Sequence, residues 1–158
     1  MELLVEVCAF PGLKIETWGT RLPMWVGNQA AGVVWKRKKK MEIYKRFSIE
    51  AAHWLPRVPE GHKCGRLHGH SFHIEIHVEG PVDAELGWVE DFATVKTAFK
   101  GVEDRIDHRC LNEVAGLENP TSENLARWLW RELKPSLPQL SSIVVEETCT
   151  SGCVYRGE

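Results

Sequence analysis

The chain has 158 residues, enough for one domain with a buried core. Its 43% hydrophobic and 27% charged content is that expected of a soluble globular protein, and its apolar runs fall well short of the ~20 residues a membrane span needs. The net charge of −2 is uneven: residues 1–40 hold seven Lys/Arg against three Asp/Glu, and the rest thirteen against nineteen, an acidic body that argues against a nucleic-acid-binding surface.

The first forty residues hold three of the seven tryptophans, no histidine and no sustained period. Their basic cluster, KRKKK at 36–40, sits at the end rather than the start, opposite to a secretory signal. It reads as a solvated charge run at a segment boundary, not as a localisation or nucleic-acid tag. Because Lys and Arg codons are purine-rich, the run also resembles a translated ribosome-binding site. The expectation is that Met41 is the natural start, that 1–40 is a poorly ordered or non-native extension, and that 41–158 is the functional domain. Five cysteines, an odd number at irregular spacing, point away from a disulfide framework and toward a reducing cytoplasm.

From Met41 the pattern becomes regular. Phe47, Ile49, Ala51 and His53 share one phase of a period-2 alternation, which predicts a half-buried strand over 42–52. Two prolines and two glycines make 54–66 a loop. A second strand follows over 67–79, with His68, His70, Phe72, Ile74, Ile76 and Val78 on one face and Ser71, His73, Glu75, His77 and Glu79 on the other. Asp91 is placed as the N-cap of a helix carrying Phe92, Val95 and Phe99. A second helix is expected over 121–133, with Pro120 in its first turn and Leu125, Trp128 and Leu129 on one stripe. SSIVVEETCT and GCVYRG supply two last strands. The order ββααββ predicts an α+β fold, an antiparallel sheet covered on one face by two helices.

Residues 62–80 hold five of the seven histidines. His68 and His70 lie two apart on a strand, so their imidazoles project the same way. If the first two strands pair antiparallel, His53 arrives beside them in matching phase. Three imidazoles then suit one zinc ion with a position left open for water or substrate. Gly69 is a candidate bulge. His73 and His77 read as ordinary members of a polar strand face, and His62 as a loop histidine without a partner in register. Cys64 stays open on spacing alone, either as fourth ligand of a closed structural site or as a thiolate reagent beside the ion.

FSIEAAHWLP, GHKCGRLHGHSF, GWVEDFATVK, DHRCLNEVAGLENPTSENLA and EETCTSGCVYRGE together resemble the 6-pyruvoyl-tetrahydropterin synthase family over 42–158. The Cys-x3-His-Gly-His spacing is similar to its bacterial, carboxy-forming branch. The resemblance implies the tunnelling fold (T-fold) and a ring-shaped homo-oligomer, usually a hexamer of two trimers, with strands forming a barrel and active sites between subunits. It implies His53, His68 and His70 as zinc ligands, Cys64 as catalytic thiol, Asp107 and His108 as its partner dyad, and Glu147 as the carboxylate gripping the pterin. Without the resemblance, Asp107–His108 reads as a helix C-terminal cap. Thr121 and Ser122 are helix-start residues that the resemblance lets touch the pterin, and Lys63 and Arg66 are the cations offered to a triphosphate. The implied reaction is a carbon–carbon lyase step of queuosine biosynthesis, taking 7,8-dihydroneopterin triphosphate to 6-carboxy-tetrahydropterin with release of acetaldehyde and triphosphate. The rivals are a pyruvoyl-forming synthase and a non-catalytic zinc-stabilised protein with Cys64 as fourth ligand.

Overall fold

The computed structural model describes residues 40–157. The expectations for an extension ahead of Met41 and for the basic run up to residue 39 lie outside the described residues. Lys40, the last of that run, opens the first strand, and its Nζ sits 2.8 Å from Glu79.

Strands β1 (Lys40–His53) and β2 (His68–Pro81) pair antiparallel along their whole length, from Lys40↔Pro81 to His53↔His68. Their alternation sets one face apolar. Ile49, Phe72, Ile74, Ile76 and Val78 are buried there, while Glu42, Arg46, Glu50 and Glu79 decorate the other face or its rim. Helix α1 (Phe92–Ile106) starts where expected, with the Asp91 side chain accepting the Ala93 N–H, and buries Val95, Phe99, Val102 and Ile106. Helix α2 (Ser122–Leu133) buries Leu125, Ala126, Trp128, Leu129 and Leu133 against the same sheet face. Strands β4 (Leu140–Thr148) and β5 (Ser151–Tyr155), numbered after the short β3 below, complete the sheet, with Ile143 and Val145 in the core. The architecture is the predicted α+β arrangement of sheet and two helices.

Three details differ from the sequence reading. A two-residue strand, β3 (Arg109–Cys110), pairs parallel to Ala51–Ala52 of β1, so the sheet order is β3-β1-β2-β4-β5. Two residues carry no period, which is why this strand escapes pattern reading. Gly69 is not bulged: it pairs with Ala52 in unbroken register, and a Cβ there would come within 3.3 Å of the Ala51 carbonyl. The register shift in β2 lies at His77/Val78 instead. Pro120 precedes α2 rather than entering its first turn, because Thr121 takes the N-cap and its side chain accepts the Asn124 N–H.

Candidate active site

The end of the β1–β2 pair is where the apolar face gives way to polar groups. The register His53↔His68 and Ala51↔His70 brings three imidazoles together, with ring centroids 4.6 to 5.2 Å apart. His53 is fully buried. Its Nδ1–H donates to the Pro120 carbonyl at 2.9 Å, and His68 Nδ1–H donates to the Arg66 carbonyl at 2.7 Å. Each bond fixes the tautomer that leaves Nε2 with a bare lone pair, as at metal-ligating histidines. The Nε2 atoms of His53, His68 and His70 are all buried and without hydrogen bonds. Orphaned acceptors of this kind are costly unless something else fills them. Burial, ahead of the other influences, pushes His53 below its ordinary value, so the ring is neutral and able to ligate.

Glu147, on the core-facing phase of β4, closes the cluster. Its Oε1 lies 3.0 Å from His70 Nε2 and 3.8 Å from His53 Nε2, while its Oε2 accepts the Ser122 hydroxyl at 2.9 Å. One ligand atom from each of His53, His68, His70 and Glu147 lies within 4.8 Å of the others. Among the described residues this is the one group of three or more such side chains, and Cys64 is not in it. The donor set of three imidazoles and a carboxylate suits a divalent metal of the zinc type. Glu146, one residue earlier, pairs with His73 on the opposite face.

Cys64 is half-buried in a short 3-10 turn over Lys63–Gly65. Its N–H donates to His62 Nδ1 at 3.1 Å and its carbonyl accepts the Leu55 N–H at 2.8 Å. His62 therefore caps the turn that presents the thiol, a role its lack of a strand partner hid. The only signal was a polar side chain two residues before the cysteine. Lys63 and Arg66 point their side chains into solvent, although the Arg66 carbonyl orients His68.

Asp107 is both cap and orienter. Its N–H donates to the Glu103 carbonyl, ending α1, while Oδ1 accepts the Glu50 N–H and Oδ2 accepts His108 Nδ1–H, each at 2.9 Å. The Glu50 N–H first, and His108 next, hold the Asp107 carboxyl below its ordinary range. His108 has φ +54°, an uncommon left-handed conformation for a non-glycine residue, and its own N–H is tied to the Glu50 carbonyl at 2.6 Å. That strain leaves an exposed imidazole held by one carboxylate. The helix cap read from the sequence and an Asp107–His108 hydrogen bond coexist at this one residue.

The family profile described as 6-pyruvoyl tetrahydropterin synthase matches residues 42–158. The chain belongs to this family. A Synechocystis relative named 6-carboxy-5,6,7,8-tetrahydropterin synthase is 45% identical over 119 residues, 72% of this chain and 91% of that protein. A Pyrococcus furiosus relative named dihydroneopterin monophosphate aldolase is 38% identical over 99 residues, 63% of this chain and 80% of that one. The structure of Caenorhabditis elegans 6-pyruvoyl tetrahydropterin synthase superposes with a TM-score of 0.71 at 28% identity, covering 77% of this chain and 99% of that one. The fold is thus the T-fold expected from the sequence. No described helix is long and apolar enough to cross a membrane.

Proposed function

We propose that the chain is a cytoplasmic, zinc-dependent 6-carboxy-tetrahydropterin synthase of queuosine biosynthesis. With one water as co-reactant, it takes 7,8-dihydroneopterin triphosphate to 6-carboxy-5,6,7,8-tetrahydropterin, releasing acetaldehyde and triphosphate. The observation that carries the reading is the trio of buried, unpartnered Nε2 atoms beside a carboxylate, in a family whose relatives are named for pterin substrates.

His53, His68 and His70 would hold the zinc ion, which supplies Lewis acidity toward the oxygens of the substrate side chain. Glu147 grips the pterin edge: a carboxylate can accept two parallel N–H bonds from that guanidine-like group. Ser122, which already donates to Glu147, aims the carboxylate, and Thr121 fixes the start of the helix carrying Ser122. Cys64 acts as thiolate and His108 as imidazole, moving protons between side-chain carbons and ring before the carbon–carbon bond breaks. Asp107 orients His108 and stabilises its charged form.

Cys64 and the Asp107–His108 corner stand outside the four-residue cluster. That fits an active site completed between subunits of a homohexamer. Among the described residues, the edge of β1 before Ala51 and the outer edge of β5 have no strand partner, as a barrel of several subunits would require. The absence of Cys64 from the cluster also favours catalysis over the rival structural site.

Incubating zinc-loaded protein with 7,8-dihydroneopterin triphosphate tests the reading. A carboxylated pterin with stoichiometric acetaldehyde is the expected result. A pyruvoyl product without acetaldehyde, or no product, would overturn it.

A further inference from the structure

Strand β3 accompanies β1 for only two residues, Ala51↔Arg109 and Ala52↔Cys110, before its chain leaves in a 3-10 turn over Leu111–Glu113. Continued in the same register, the pairing would set Asn112 opposite Trp54, the residue after His53. The main chain is no longer extended there, and the Asn112 side chain takes over. Its Oδ1 accepts the Trp54 N–H at 2.9 Å, and its Nδ2 donates to the Trp54 carbonyl at 2.8 Å. A side-chain amide is a peptide group in miniature, so one residue satisfies both backbone groups that the departing strand leaves behind. Only one orientation of the amide makes both bonds.

The same Nδ2 faces the Glu118 carbonyl at 3.5 Å, a longer and weaker contact. Two residues further on, the Pro120 carbonyl accepts His53 Nδ1–H. Between them, the Asn119 carbonyl accepts the Thr121 N–H at 2.9 Å and Asn124 Nδ2 at 2.8 Å, which ties this turn to the start of α2. Half-buried Asn112 therefore touches both supports of the His53 ring. One is the peptide unit that follows His53 along β1. The other is the turn whose carbonyl selects the tautomer with a free Nε2.

We propose that Asn112 is the positioning residue of the metal centre, a clamp that aims His53 Nε2 into the cluster without being a ligand itself. This rests on the metal reading made above. Outer-shell groups set the direction and tautomer of a ligating imidazole, and both can fail here in one step. With the clamp open, the 118–120 turn can draw back from His53. The Nδ1 proton then loses its acceptor and can pass to Nε2, which takes away the lone pair a metal needs.

The test uses the full chain labelled with 15N, wild type against Asn112→Ala and Asn112→Asp; the latter keeps an acceptor for Trp54 and loses both donors. Zinc affinity is measured by competition with a chelator, and the His53 Nδ1–H resonance is followed in the metal-free protein. Both variants should bind zinc about tenfold more weakly, the low end for outer-shell partners because the amide works through a carbonyl. Their His53 Nδ1–H should exchange faster with solvent. Leu140→Ala truncates the core where β4 meets Val78, at the far end of the sheet, and should lower thermal stability with zinc affinity unchanged. Wild-type zinc affinity in both Asn112 variants overturns the proposal. So does an equal loss in Leu140→Ala, which would mean general loosening, or weaker zinc with an unaltered His53 signal, which would remove the route through that ring. Wild type alone gives a further check: a Trp54 N–H held by Asn112 exchanges slowly, and rapid exchange there overturns the clamp even if neither variant folds. If wild type holds no zinc, the metal reading fails by itself, and the His53 and Trp54 signals still decide whether the clamp exists.

Discussion

Strand β2 carries histidines on both faces, and the two pairs live in opposite chemical conditions. On the apolar face, His68 and His70 join His53, and their buried Nε2 atoms converge beside one carboxylate, Glu147, 3.0 Å from His70 Nε2. On the polar face, His77 lies between carboxylates, with Nε2 3.1 Å from Glu75 and Nδ1 3.5 Å from Glu42, and stacks on Tyr44 at 5.3 Å between centroids. The residue type and the strand are the same. What separates the metal-competent histidines from the ordinary one is convergence: the three Nε2 atoms and one shared carboxylate, Glu147, lie within 4.8 Å of one another, whereas His77 stands alone between Glu75 and Glu42. Backbone carbonyls occupy only one nitrogen of His53 and His68, whereas carboxylates stand at both nitrogens of His77.

Removing one histidine from each face should break the symmetry of composition most sharply. His70→Ala is expected to lower zinc affinity by more than about 100-fold, since even outer-shell partners of ligands cost about 10- to 100-fold. Turnover should vanish with the metal. His77→Ala should leave zinc stoichiometry at the wild-type value, measured by elemental analysis after dialysis. Equal zinc loss in both variants would sink the distinction between the faces.

Cys64→Ala sharpens the same contrast from outside the cluster. The thiol belongs to neither face of β2, so zinc content should be unchanged while turnover falls about 100- to 10,000-fold, the range for losing a proton-transfer group. A variant that loses zinc and melts early would restore the structural-site rival.

Much of this was legible because two periodicities reinforced each other. Alternation in 42–53 and 67–79 fixed which side chains shared a face, and antiparallel pairing then carried His53 across fifteen residues to His68. Asp91 as a cap was equally readable, being local. What stayed hidden was non-local or aperiodic. The Pro120 carbonyl reaches His53 from 67 residues away, and no pattern in the chain encodes a backbone acceptor. Glu147 could be assigned a phase, but its closeness to His70 depends on where β4 stops beside β2.

The smallest expected effect comes from the satisfied face and depends on pH. Glu75 accepts from Arg46 Nε at 2.9 Å and stands against His77, and Arg46 first, with His77 adding to it, holds its carboxyl below the ordinary value of 4.5. A carboxyl depressed in the folded state contributes stability that is complete above its unfolded value and is lost as pH falls through the folded one. Glu75→Gln should therefore lower thermal stability at pH 7 by about 0.5–1 kcal/mol, a modest amount because the Arg46 side chain is more than half exposed and screened. The gap between wild type and variant should narrow as pH drops below about 4.5 and close at lower pH, where both side chains are neutral. A gap that stays constant from pH 7 down through the acid range would mean that Glu75 contributes through packing rather than charge. The polar face would then owe its order to something other than the ion pairs that distinguish it from the metal-competent one.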